Sequence, residues 1–296
     1  MLNFCLSKDI ETILLGKLVL GNICFRLANT VTIGKALFMT NRLAGKWVLI
    51  TGASSGFGAE TARQFAGLGV NLLLGARRKD RLAVVADECL KLGAISVHIN
   101  HLDVVNTQSV NTFADWFRSI TGRVDVLVNN AGGAHGVDRV EDGKDSDWET
   151  MFQTNALGIL RVTRAVLPFM KPYSGGIILN LGSIAGRVAY EGGSAYCASK
   201  AAELSITKAL RLELNGTGLR VGSIDPGMAE TEFSIVRLKG DQEKADAVYA
   251  GVEPLVAEDV AEAIVWAANR PPHVCIDEIL MMCTAQAAPY KVSRDE

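Results

Sequence analysis

The apolar run Trp47-Val-Leu-Ile50 breaks at once into Thr51-Gly-Ala-Ser-Ser-Gly-Phe-Gly58 and then into a helical segment, residues 59–68. Strand, glycine turn and helix in immediate succession leave few folds open. Glycines let the backbone approach a ligand closely. The start of a helix adds unpaired N–H groups and the positive end of a dipole, which suits a pyrophosphate. The spacing of Gly52, Gly56 and Gly58 departs from G-x-G-x-x-G, so this fingerprint is met only in part and a purely structural turn stays open. A second strand, residues 70–74, ends in Gly75-Ala76-Arg77-Arg78. About 20 residues past the glycines, NAD-binding chains carry an acid for the ribose hydroxyl, whereas an arginine accommodates the 2′-phosphate of NADP. Arg77 and Arg78 stand there and no carboxylate does, which points to NADP. The alternative is two solvated residues opening the next helix.

Beyond that point strand-like and helix-like runs alternate. The helices span 80–92, 107–120, 148–170, 194–214 and 257–268; the strands span 96–101, 124–128, 177–181, 219–224 and 276–281. This alternation predicts an α/β fold, a doubly wound Rossmann-type parallel sheet flanked by helices, in a single domain. Ligands then sit at the carboxyl ends of the strands. The polar groups at those ends are Asp103, Asn129-Asn130-Ala131-Gly132, Ser183 and Asp225-Pro226-Gly227.

After the strand at 177–181, the stretch from Gly182 to Lys200 places Ser183 just past a strand end and Tyr196 and Lys200 four residues apart on one helix. That spacing is one turn, so phenol and ammonium share a face. A free phenol titrates near about 10 and is a poor base at neutrality, but a neighbouring cation favours phenolate. A downward displacement of roughly two to three pH units corresponds to about 3–4 kcal/mol, enough to make Tyr196 a workable acid and base. Alone, Tyr-x-x-x-Lys is equally an ordinary amphipathic pair; the nearby site for a hydride carrier gives it meaning.

The formal charge of −2 carries no basic field, so nucleic acid is not an expected partner. The cysteines at 5, 24, 89, 197, 275 and 283 form no C-x-x-C or Cys/His cluster, so reduced thiols in a cytoplasmic chain and no metal are expected. Cys197, beside Tyr196, is expected to be inert packing. None of the four histidines is read as a ligand.

Residues 1–38 stand apart. Their longest uncharged run, residues 18–25, is too short to span a bilayer, which needs about 20 residues. They form an expected N-terminal extension, with an amphipathic membrane-surface or organelle-targeting helix as the alternative, and the folded unit is expected over 39–296.

Together, Thr51–Gly58, Asn129-Asn-Ala-Gly132, Asn155, Ser183, Tyr196-x-x-x-Lys200 and Pro226-Gly227 resemble the short-chain dehydrogenase/reductase family over about residues 43–286. The carboxyl-terminal part, from Pro226 through Asp241 and on to Leu255, resembles the microbial NADP-dependent 3-hydroxy acid dehydrogenases of that family, also described as serine or L-allo-threonine dehydrogenases. The resemblance implies Tyr196 as acid and base, with Lys200 acidifying it and holding the nicotinamide ribose. Ser183 would bond the substrate oxygen, and Asn155 would hold the helix and a water for proton exchange. For NADP(H) it implies Gly52, Ser54, Ser55, Gly56, Phe57, Gly58, Arg77 and Arg78. Asp103 and Val104 would contact adenine, Asn129 the adenosine-side ribose region with Ala131 and Gly132 beside it, and Pro226, Gly227 and Thr231 the nicotinamide. Arg187 is the expected holder of a substrate carboxylate, with Arg237 second, and residues 228–240 are an expected mobile lid. The expected activity is hydride transfer between NADP(H) and a small 3-hydroxy acid. Alternatives are a broader carbonyl reductase or tailoring enzyme, and a non-catalytic NADP(H)-binding regulator. Homotetramer is expected first, through helices 148–170 and 194–214, and dimer second.

Overall fold

Seven short strands, the central ones apolar on both faces, account for the core of the computed structural model, which describes residues 40–295. They are β1 (Trp47–Thr51), β2 (Asn71–Ala76), β3 (Ser96–His101), β4 (Val126–Asn129), β5 (Ile177–Leu181), β6 (Arg220–Pro226) and β7 (Glu278–Met281). All pair in parallel, in the order β3-β2-β1-β4-β5-β6-β7. The period of two along each strand divides the core. Val48, Ile50, Leu72, Leu74, Ile177 and Leu179 face one layer, built with Phe65, Leu82 and Ile264. Leu49, Leu73, Leu127 and Ile178 face the other, built with Phe117, Val166 and Leu210.

The first layer is supplied by helices α1 (Gly56–Ala66), α2 (Lys79–Leu92) and α9 (Ala257–Ala268). The second takes α3 (Thr107–Arg118), α5 (Gly158–Met170) and α6 (Ser194–Glu213). Helix α4 (Asp145–Phe152) runs through a π-helical turn, Gln153–Leu157, straight into α5. The single helix predicted over 148–170 is thus one continuous run that starts earlier and carries a π insertion, a feature often tied to functional sites. Two short helices, α7 (Glu232–Arg237) and α8 (Gln242–Ala247), and a hairpin of β8 (Gln286–Ala288) and β9 (Lys291–Val292) were not foreseen.

Strand β1 pairs with β2 on one side and β4 on the other, so the winding reverses direction between β1 and β4. In such sheets a crevice opens outside the carboxyl ends at that point. All the elements described belong to one compact unit that begins at Asn41. The expected extension, residues 1–38, lies outside the described residues. Among these, no helix is long and apolar enough to cross a membrane.

Candidate active site

The crevice is a cleft of about 590 Å³ lined from the ends of β1, β2, β3, β4, β5 and β6. Its floor is the glycine turn. Gly52 and Gly56 have φ of +66° and +51°, a region open to glycine at little cost. A Cβ on Gly52 would lie 2.9 Å from the Ala131 Cα, and one on Gly58 only 2.6 Å from the Gly52 carbonyl oxygen. The turn is therefore packed against the loop after β4. Asn130 clamps it, its Nδ2 donating to the carbonyls of Thr51 at 2.8 Å and Gly52 at 3.2 Å.

Helix α1 opens on this cleft with no side-chain cap at Ser55, so its leading N–H groups face an open end. Arg78 lies alongside, donating to Ser54 Oγ at 3.3 Å and Ser55 Oγ at 2.6 Å, while Arg77 is exposed at the rim. Uncapped amides, glycines that admit close approach and two arginines form a cradle for a phosphorylated dinucleotide. A carboxylate does reach this corner, Glu232 of α7, but it comes from across the cleft and pairs with Arg78 at 3.0 Å and with Arg81. Burial opposes its charge; the bonds from Arg81 and Arg78 nevertheless hold its carboxyl below the ordinary value.

The reacting end lies where β5 meets α6. Ser183 is extended and its Oγ accepts from the Ala185 N–H at 3.1 Å, which orients the hydroxyl at the cleft. Helix α6 starts at Ser194, so Tyr196 falls in its first turn and Lys200 one turn on; both line the cleft and both are buried. The Lys200 ammonium donates to the Leu181 carbonyl at 2.6 Å and to Glu203 Oε2 at 2.8 Å. Burial works against that ammonium, yet Glu203, Tyr196 and Asp225 together hold it above the ordinary lysine value. Burial also pushes the Glu203 carboxyl up to about 7, with Lys200 opposing and Asp225 adding to the rise.

Asn155 is fully buried in the π turn. Its Nδ2 donates to the Gly133 carbonyl at 2.9 Å and to Ser199 Oγ at 3.0 Å, and its Oδ1 accepts from the Gly133 N–H at 2.9 Å. It thus ties the loop after β4 to the helix that carries Tyr196 and Lys200. On the far wall Arg237 donates to the Gly136 carbonyl at 3.1 Å and to Tyr190 Oη at 2.9 Å. Its guanidinium carbon stands 5.6 Å from the Tyr196 ring centroid and 5.5 Å from that of Tyr190. Phe233 packs on Tyr196 with ring centroids 5.6 Å apart.

Residues 46–241 match the family model for short chain dehydrogenases. The NADP-dependent 3-hydroxy acid dehydrogenase of Schizosaccharomyces pombe is 44% identical over 86% of this chain and 99% of its own length. The chain belongs to the short-chain dehydrogenase family. A sulfoacetaldehyde reductase of Chromohalobacter salexigens is 45% identical over 84% of the chain and 98% of that relative. A closed form of serine dehydrogenase complexed with NADP+ superimposes with a TM-score of 0.78 at 39% identity, covering 84% of this chain and all of that one.

In this short-chain dehydrogenase, an oxidoreductase by family, the expected site residues divide into two groups. Gly52, Ser54, Ser55, Gly56, Phe57, Arg77, Arg78, Asp103, Val104, Ala131, Gly132, Ser183, Tyr196, Lys200, Pro226, Gly227 and Thr231 all line the cleft. Four others are placed elsewhere. Gly58 sits beneath the turn, where a side chain would strike Asn130 Nδ2 at 2.3 Å. Asn129 points inward from the end of β4, donating to Thr163 Oγ1 at 3.0 Å and Asn180 Oδ1 at 2.8 Å, so its side chain is turned away from any adenosine ribose. Asn155 acts from behind the cleft, as described. Arg187 is committed to two carboxylates, Asp225 through Nε at 2.8 Å and Glu278 at 2.6 Å, and its guanidinium is not part of the lining. Arg237, the second choice, is. The pairing of Arg187 with residues 38 and 91 positions away hid its real partners from sequence reasoning. Asn130 was read as one of the polar groups after the fourth strand, without its role as a clamp; Tyr190, Phe233 and Glu203 were not singled out by sequence reasoning.

The segment 228–240 lies across the cleft and contributes Met228, Thr231, Phe233 and Arg237 to its wall. It is fastened by Met228 N–H to Gln286 Oε1 at 2.7 Å, by the Arg237 carbonyl to Gly136 N–H at 2.9 Å, and by Lys239 to Asp147 at 2.7 Å.

Proposed function

We propose that this chain is an NADP(H)-dependent oxidoreductase that interconverts small 3-hydroxy acids and their 3-oxo counterparts. One observation carries the reading: Tyr196, Lys200 and Ser183 share one cleft with the open end of α1, and a cationic side chain, Arg237, stands over the Tyr196 ring. The names of the two relatives, a 3-hydroxy acid dehydrogenase and a sulfoacetaldehyde reductase, each pair a hydroxyl or carbonyl with an acid group. An arginine fork beside the phenol suits such an acid group, because a planar guanidinium binds oxyanions through two parallel hydrogen bonds.

The cofactor, when bound, supplies the hydride or accepts it. The phosphates would rest on the N–H groups at the head of α1, and Arg78 with Arg77 would take the 2′-phosphate. The chain's own residues handle position and protons. Ser183 Oγ holds the substrate oxygen. Tyr196 gives that oxygen a proton in reduction and removes it in oxidation. Lys200 stabilises the phenolate by its charge, and Asn155 keeps the π turn and α6 in register. Arg237 fixes the acid end so that the reacting carbon faces the cofactor, which supplies much of the rate through positioning.

Phe152, Leu157 and Leu160 are exposed along α4–α5, which supports a partner on that face and the homotetramer expected of the family. Among the described residues, the cysteines at 89, 197, 275 and 283 form no disulfide, which fits the expectation of reduced thiols in a cytoplasmic enzyme.

Following NADPH absorbance against 3-hydroxy acids, 3-oxo acids, sulfonated aldehydes and neutral ketones tests the reading. Turnover is expected for the short acids and a fall of about a thousandfold or more in kcat for Tyr196→Phe. Arg237→Gln is expected to raise KM for the acids about tenfold or more while leaving KM for NADPH unchanged. Equal rates for neutral ketones would favour the broad reductase, and tight NADPH binding without turnover would favour the regulator.

A further inference from the structure

Glu203 is fully buried, carries an acid into the interior beneath α6, and is given no role by the mechanism above. It lies on α6 less than one turn beyond Lys200, and its Oε2 accepts the ammonium at 2.8 Å. Its other oxygen, Oε1, has no hydrogen-bond partner among the described residues. Acidic oxygens are rarely buried half-satisfied, because an unpaired polar atom in such a place costs free energy. The charged and titratable groups around it are few. Lys200 and Tyr196 share its helix, and Asp225 reaches it from β6. Asp225 is itself neutralised from the other side by Arg187 and accepts from Ser223. From β5 only neutral groups approach: the Leu181 carbonyl takes the ammonium, and Asn180 bonds Thr207, which in turn bonds the Glu203 carbonyl at 3.0 Å.

An ammonium paired to a carboxylate presents a dipole to its surroundings, where an unpaired one presents a full charge. At one helical turn the difference is large in a medium of low dielectric. Resting on the assignment of Tyr196 as the acid and base, we propose that Glu203 is a positioning residue: it moors the Lys200 ammonium and, when ionised, cancels part of its pull on Tyr196. The chain thereby keeps Tyr196 protonated over a wider range of pH and is biased toward reducing carbonyls.

The test uses the full chain and two readouts. In the first, kcat/KM for oxidation of a 3-hydroxy acid is measured against pH for wild type and Glu203→Gln. In the second, tyrosinate absorbance of the cofactor-free protein is titrated, with Tyr196→Phe in each background isolating the Tyr196 contribution. Loss of the anion is expected to lower both midpoints by about one pH unit, the usual effect of a single charge at close range. Unchanged midpoints in a folded Glu203→Gln protein overturn the proposal, even if its kcat falls. So do midpoints that rise, which would mean that Glu203 sustains the ammonium and does not screen it. Should Glu203→Gln not fold, Glu203→Leu serves in the same assays. Full turnover by Tyr196→Phe would instead sink the assignment of the acid and base, a result separable from every outcome above.

Discussion

Lys200 and Glu203 form an ion pair that both helps and costs. The buried ammonium gains a partner, but the carboxylate is left with one oxygen that has no hydrogen-bond partner among the described residues. Stability should show this cost as a dependence on pH. Burial raises the folded-state carboxyl from the ordinary 4.5 to about 7. Between those values the folded chain holds a proton at Glu203 that the unfolded chain has released. Unfolding free energy therefore falls as pH rises through this window, and the acid's destabilising effect is complete above it. Urea unfolding of wild type and Glu203→Gln at a series of pH values should give a shallower fall for the variant; parallel curves would place the proton elsewhere. Legibility at this scale follows reach. Tyr196 and Lys200 were readable because their partnership is local, one helical turn. Arg187 was misplaced because its environment is made by β6 and β7, and a long side chain in a loop offers no clue to which carboxylates the fold will bring near.

Elements declared themselves when they were long enough to show a period or dense enough in apolar residues to demand burial. Residues 96–101, 177–181 and 257–268 were read with the bounds that β3, β5 and α9 have. Helices α7 and α8 have only six residues each, less than two turns, so no hydrophobic stripe could form along them. Helix α7 is instead held by caps and clasps: Thr231 Oγ1 accepts from the Phe233 N–H at 3.2 Å, and Glu232 spans the cleft to Arg78 and Arg81. These contacts join the wall around the substrate to the arginines offered to the cofactor. Each pair is half-exposed, and such pairs contribute about 0.2–1 kcal/mol. Glu232→Gln should accordingly raise amide hydrogen exchange in residues 231–238 about two- to five-fold at neutral pH, with α9 unchanged. Since Arg78 and Arg81 hold the Glu232 carboxyl below its ordinary value, wild type should approach the variant only once the pH falls into the lower carboxylate range. Equal exchange in both proteins at neutrality would show that other contacts hold α7.

The molecule separates its tasks along the strand direction. Everything that lines the cleft follows a carboxyl end, whereas the amino ends are closed by a structural ion cluster around Asp125. That carboxylate, nearly buried just before β4, accepts the Trp47 N–H at 3.0 Å, pairs with Lys46 at 3.4 Å and binds Arg123 at 2.6 Å. It thereby joins the starts of β1 and β4, the two strands between which the cleft opens at their other ends. Nothing in the local sequence announces this: Asp125 falls inside the run expected as a strand, 124–128, and Lys46 and Arg123 stand just ahead of apolar runs. Truncating the acid removes two charge-assisted contacts and strands a main-chain donor, a loss of about 2–4 kcal/mol. Asp125→Ala should therefore lower the urea midpoint and Tm substantially. In the folded fraction KM for NADPH and for the hydroxy acid should stay within about twofold of wild type, because the cluster touches neither. If KM moved in step with stability, the two ends of the sheet would be coupled through the strands, and the cleft would depend on tension across β1 and β4 as well as on the residues that line it.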